Sequence, residues 1–299
     1  MAPAVWFVGV PAAVGAAASF GGAGLLQHHA THRVPEREPM NAALLRDLLS
    51  LPAFRFSLLA AVVGFALQVV ALHAAPLPVV QPLLVTGVMF YLGYAALLLH
   101  RPMDSGLVTG AALAVAGLAG FLLVASPSAG SASMSGAVVL PLGVGLAGLV
   151  LAALWAAARV PRRLRPLPLA AATAVCYGIT AALVRSLTSI SPMSVAAVVQ
   201  HWQLYAVAVV GPLGFLLNQN AFQEGRLGSV AVAVITVGDP LVSISLGIAW
   251  FDDTLRSGAW PVLGEVATLA VMAGGIVLLT ARAQQVAEAI RLQAKGRRR

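Results

Sequence analysis

The chain has 299 residues, of which 60% are hydrophobic and 9% charged, and its mean hydropathy is +0.91. Soluble domains carry roughly 25% charged residues, so this composition excludes a water-soluble globular protein and points to an integral membrane protein. The net charge of +8 would suit a nucleic acid, but the arginines fall between apolar runs and at the C-terminus, where cytoplasmic membrane flanks collect basic residues. No nucleic-acid partner is expected; membrane lipid is.

A membrane-crossing helix needs about 20 mostly apolar residues. In chain order such runs occupy 4–26, 56–74, 77–99, 105–125, 136–158, 167–184, 199–217, 227–250 and 260–281. No Lys or Arg precedes the first run, and it is too long for an ordinary signal-peptide core, so it reads as a retained helix. The expected fold is an all-α integral membrane protein with nine transmembrane helices in one domain, 1–281. Residues 282–299 form a basic cytoplasmic tail, able to lie as a short amphipathic helix on anionic lipid.

Basic residues between the runs set the orientation. Of the 18 Lys and Arg, sixteen fall in the odd-numbered loops and the tail; only Arg185 and Arg256 fall in even-numbered loops. By the positive-inside rule the N-terminus lies outside and the C-terminus inside. The Arg-rich segment 159–165 then reads as a cytoplasmic anchor. One lysine among seventeen arginines, with abundant Ala, Gly and Pro, indicates a GC-rich bacterial gene and hence a bacterial plasma membrane.

Internal similarity follows. GFALQVVAL (64–72) matches GFLLNQNAF (214–222) at an offset near 150, Gly87 falls against Gly238, Ser105-Gly106 against Ser257-Gly258, and AVAGLAGFLLVA (114–125) against AVMAGGIVLLTA (270–281). The expected orientations of helices 1–4 oppose those of helices 6–9. This suggests an inverted-topology repeat, 4–125 and 167–281, joined by helix 5 (136–158), an arrangement many secondary transporters use.

Two carboxylates lie within the expected spans, Asp239 in the eighth and Glu265 in the ninth. A charge at the bilayer centre costs about 2.5–3.5 kcal/mol on insertion scales, so such residues face the bundle interior or a water-filled cavity. Pro240 removes the hydrogen bond to the Thr236 carbonyl and disfavours helical geometry at Asp239. A carboxylate, a hydroxyl and a free carbonyl are thus expected at one kinked level, either as a binding site for a cation, proton or amine or as a polar knot that holds the kink. Pro82 is a second expected kink, beside Gln81. Gln81 and Gln68 either contact a solute or bond across helices, and Asn218, Gln219 and Asn220 either bind a solute or cap the seventh helix. Tyr177 and Trp250 either line a cavity or anchor span ends, as do Tyr91, Tyr94 and Trp202. Arg185, at the outer end of the sixth span, is expected to pair with Glu265.

Other chemistries find no support in the sequence. The single Cys176 excludes an intramolecular disulfide and a cysteine metal cluster. His28, His29 and His32 have metal-like spacing, but solvated histidines are the simpler reading. No phosphate-binding loop or hydrolase constellation occurs, so neither an enzyme nor a cofactor is expected.

The paired G-F-x-L segments, the proline-bearing helices (Gln81-Pro82 and Asp239-Pro240) and the Gly-rich final helices resemble the drug/metabolite transporter superfamily, EamA-like in pattern. The nine-helix layout, from Trp202 through Asn218-Gln219-Asn220 to Phe251, is most similar to its NIPA-type branch. A glutamate common in that superfamily where the proline-bearing helix ends is replaced by His100-Arg101 and Asp252-Asp253. The resemblance implies a secondary transporter moving a small solute between two inverted halves. The NIPA-like layout implies instead a magnesium or other divalent-cation path, with Asp239 and Glu265 as metal ligands. A non-transporting scaffold with inherited symmetry is the third possibility, and a homodimer is compatible with each.

Overall fold

The computed structural model describes residues 4–31, 33–34, 43–99, 105–131, 136–161, 164–190, 195–223 and 228–296. Nine helices among them are long and apolar enough to cross a membrane, at Val5–Gln27, Pro52–Ala74, Leu77–Leu97, Val108–Ala125, Val138–Arg159, Pro166–Thr188, Trp202–Ala221, Ala233–Phe251 and Ala259–Arg282. Each coincides with one expected run. The chain is a multi-pass membrane protein, almost entirely helical.

The first span opens with a π turn, Val5–Gly9, that runs into α1, Val10–Thr31. Short α2 (Ala43–Leu49) precedes α3 (Pro52–Ala74), which Pro52 starts at a position that needs no N–H donor. The third span is broken into α4 (Leu77–Val85) and α5 (Gly87–Leu99). Pro82 withholds an N–H from this helix, and Thr86 closes the break by donating from N (3.1 Å) and Oγ1 (2.6 Å) to the Leu83 carbonyl. Then follow α6 (Ser105–Ala125), α7 (Gly136–Arg159), α8 (Pro166–Thr188), short α9 (Val195–Val199), α10 (Trp202–Gln223), α11 (Gly228–Phe251) and α12 (Ala259–Gly296). The helix expected separately in the tail is the uninterrupted continuation of α12.

Pro240 behaves unlike Pro82. The Thr236 carbonyl lacks the Pro240 N–H, yet α11 stays helical from Gly228 to Phe251. The backbone opening expected at Asp239 is therefore not observed; one missing hydrogen bond is outweighed by the intact ladder on either side.

Close helix contacts occur at glycines and fix the directions of the spans. A Cβ on Gly9 would meet Ala74 and Ala75, and one on Gly64 would meet Phe20, so α1 and α3 run antiparallel. Gly87 faces Ala17 while Gly21 faces Phe90 and Tyr91, so α1 and α5 run parallel. Gly214 packs on Cys176 and Tyr177 and Gly211 on Thr180, making α8 and α10 antiparallel. Gly238 packs on Ala174 and Gly178 on Val242, making α8 and α11 parallel. α6 runs antiparallel to α12 along Gly110, Gly117, Gly120, Thr268, Met272 and Gly275. Small residues let the backbones approach, the source of most helix–helix attraction in lipid.

α8 is the most enclosed span and α7 the least. Leu140, Val144, Leu151 and Trp155 on α7 are all exposed, as expected for a peripheral helix facing lipid.

Candidate functional site

The seam between α8 and α11 positions Asp239. With no side chain at Gly238, α11 sits against Ala174, and Val242 fits the gap at Gly178. Asp239 and Ser243, one residue on from each of these contacts, therefore share a face of α11. Ser243, fully buried, donates from Oγ to Asp239 Oδ1 at 3.1 Å. Tyr177, which precedes Gly178, is within electrostatic reach of Asp239 and of the Asn218 side chain. Gly214 on α10, one turn before Asn218, admits the Tyr177 ring at van der Waals range. Four polar side chains on three helices thus converge: Tyr177, Asn218, Asp239 and Ser243.

The expected residues divide around this group. Thr236 is half-buried one turn before Asp239 on α11. Asn218 is buried and its Oδ1 has no hydrogen-bond partner. The capping alternative for 218–220 fails, because α10 continues to Gln223 and buries all three. Gln219 donates from Nε2 to Gln27 Oε1 of α1 at 3.1 Å, and Asn220 bonds back to the Leu216 carbonyl at 2.7 Å. Gln68 is half-buried on α3, whose main partner is α1.

Gln81 is 1% exposed, and neither Oε1 nor Nε2 has a partner. α4 meets α11 where Gly247 faces Leu77 and Pro78. Gln81 lies one turn beyond Leu77, and Ser243 lies one turn before Gly247. Because α4 and α11 belong to oppositely directed spans, this register sets Gln81 level with Ser243.

Glu265 lies elsewhere. It is buried on α12, with Oε1 unpartnered. It sits six residues into α12, whereas Asp239 sits twelve residues from the α11 end on the same face; at about 1.5 Å per residue the two differ in depth by about 9 Å. Among the described residues no group of three or more His, Cys, Asp or Glu could hold a metal ion. His32 and the His28 side chain lie outside the described residues, and His29 is exposed.

The expected Arg185–Glu265 pair is replaced by Arg185–Asp253. α8 extends past the expected end at 184, so Arg185 is inside the helix and 7% exposed. Its Nη1 and Nη2 both bond the Asp253 carboxylate, the second at 2.7 Å to Oδ1, and its guanidinium lies 4.5 Å over the Phe251 ring. Asp253 reaches this position because Asp252 takes a left-handed φ of 54°, turning the chain back so that Asp253 N–H donates to the Gly247 carbonyl at 3.1 Å. Gly130 N–H donates to Asp253 Oδ1 at 3.0 Å.

The same end of the bundle carries further cross-links. Ser126, just past α6, also has a left-handed φ (40°). Segments 126–131 and 252–256 pair through an antiparallel bridge at Ser128 and Thr254, whose hydroxyls are 2.6 Å apart, and Arg256 N–H donates to the Ala125 carbonyl at 2.8 Å. His73 Nδ1 lies 2.9 Å from the Thr188 carbonyl. The ends of spans two, four, six and eight therefore meet on one face.

No family model matches the chain, and no solved structure matches it. An uncharacterized protein of Corynebacterium glutamicum is 23% identical over 259 residues, covering 86% of this chain and 89% of its own.

Proposed function

We propose that the chain is a secondary membrane transporter of the drug/metabolite type, moving a small solute between two inverted halves past the Asp239 group. The observation that carries this reading is the convergence of Tyr177, Asn218, Asp239 and Ser243, with Tyr177, Asp239 and Ser243 deep within α8 and α11 and Asn218 in the last two turns of α10. Polar groups at that depth are costly unless they serve one another or a solute, and Asn218 Oδ1 is left unserved.

Packing supports the repeat. In each half the first helix runs antiparallel to the second and parallel to the third, and the third passes a glycine, Gly87 or Gly238, against an alanine of the first, Ala17 or Ala174. The fourth helices of the two halves, α6 and α12, then pack on each other. An axis in the membrane plane relates such halves in transporters that alternate access.

In this reading the face bearing Arg185 and Asp253 is the outer one and is closed. Opening it separates segment 126–131 from 252–256. The localisation is a bacterial plasma membrane with a cytoplasmic C-terminus.

The reading is tested without knowing the solute. In a Cys176→Ala background, Asn218→Cys is expected to react in membrane vesicles with a charged, membrane-impermeant thiol reagent, whereas Leu151→Cys on the lipid face of α7 stays unreactive. Equal unreactivity at both positions, from both sides, contradicts an aqueous route past Asp239.

A further inference from the structure

We infer that the Asp239 group takes a small organic ammonium ion bearing N–H donors; this assignment rests on the reading of that group as a transport site. α4, α8, α10 and α11 contain one basic side chain, Arg185, and Arg185 is committed to Asp253. No cation of these four helices is left to balance Asp239, so an anionic solute has nothing to pair with here and a cationic one has a carboxylate.

Asn218 Oδ1 and Gln81 Oε1 are buried acceptors without donors, on α10 and on α4. Together with the Asp239 carboxylate they offer acceptors from three helices. An ammonium group presents several N–H donors in diverging directions to Asp239, and a solute that carries further donors can reach the amide oxygens that lie on either side of that level. A quaternary ammonium has none and would leave the amide oxygens unpaired, at the desolvation cost of about 1–3 kcal/mol each that buried unsatisfied groups carry. The Tyr177 ring adds an aromatic face of the kind that attracts cations.

Hard divalent cations take six or more oxygen ligands, with carboxylates prominent among them. This group has one carboxylate, and Glu265 lies at another level. Gln81 Nε2, also unpartnered, is a donor, which a metal cannot use and a hydroxyl beside an ammonium can.

The test is thermal unfolding of the full chain in detergent with ethanolamine, tetramethylammonium, magnesium or acetate at matched ionic strength. Ethanolamine is expected to raise Tm more than the other three, with the difference lost in Asp239→Asn and reduced in Ser243→Ala. Should Asp239→Asn not fold, the selectivity of the wild-type protein and the Ser243→Ala response decide. A larger rise with magnesium, tetramethylammonium or acetate, or an ethanolamine rise unchanged in Asp239→Asn, overturns the assignment. Flux in proteoliposomes separates this from the underlying reading. Ethanolamine-specific stabilisation without flux supports ammonium binding and contradicts transport, whereas flux of a neutral or anionic solute without it overturns the ammonium assignment and leaves transport standing.

Discussion

Arg185 of α8 and Asp253, two residues past α11, form a buried two-pronged ion pair that holds the ends of two spans and the segment after a third. Removing one partner of a buried pair leaves an uncompensated charge, at about 3–5 kcal/mol. Arg185→Gln and Asp253→Asn are each expected to destabilise the fold by an amount of that order, read in detergent as a lower Tm. The double variant Arg185→Met/Asp253→Leu, which removes both charges, is expected to lose less than either single variant. Additive losses would mean that the two residues do not act as a pair.

The hydroxyls of Ser128 and Thr254 lie 2.6 Å apart, so cysteines at both positions sit within reach of a disulfide. In a Cys176→Ala background, Ser128→Cys/Thr254→Cys is expected to cross-link on oxidation and to stop flux, with recovery on reduction. Flux at the wild-type rate through the cross-linked protein would rule out opening on this face.

A methyl on Gly117 of α6 would lie 2.7 Å from the Thr268 carbonyl oxygen of α12, whereas one on Gly148 of α7 meets nothing within 4 Å. Gly117→Ala is expected to cost about 1–3 kcal/mol through overpacking. Gly148→Ala is expected to be neutral or to gain up to about 1 kcal/mol in helix propensity. Unfolding midpoints of both variants check the contrast, and a silent Gly117→Ala would contradict the close α6–α12 approach.

Gln81 presents two buried amide atoms to no partner. Gln81→Leu keeps the volume and removes the unsatisfied polar groups, so it is expected to raise Tm while weakening stabilisation by ethanolamine. A lower Tm would show that Gln81 is bonded within the fold and is not held open for a solute.

Most of the span layout was legible because bilayer thickness imposes one length on every crossing: all nine runs match helices, including the weakly apolar run at Trp202. Asp239 stands out in the sequence as a carboxylate in an apolar run, Tyr177 only as one of several cavity or anchor aromatics and Asn218 only as a solute contact or cap, and the fold brings the three together. Ser243 was missed because a lone serine in a helix ordinarily bonds its own backbone; its role shows only in its position four residues after Asp239. Asp253 was missed for a different reason. Span counting assigns residues past a helix end to solvent, but the left-handed turn at Asp252 folds Asp253 back beneath α11. Pro82 and Pro240 read alike in sequence, and only Pro82 lies in an interrupted span. Gly87 and Gly238 each pass an alanine of a neighbouring helix, so a close crossing does not separate the two cases.

The central claim is that solute passes Asp239. Its most direct test is uptake into proteoliposomes, comparing the wild-type chain with Asp239→Asn over a panel of amines, neutral metabolites and magnesium. The account predicts flux of at least one small solute by the wild-type protein and its loss in an Asp239→Asn variant that unfolds at a similar temperature. Flux that is unchanged in the variant, or no flux of any solute through the wild-type protein, would contradict it.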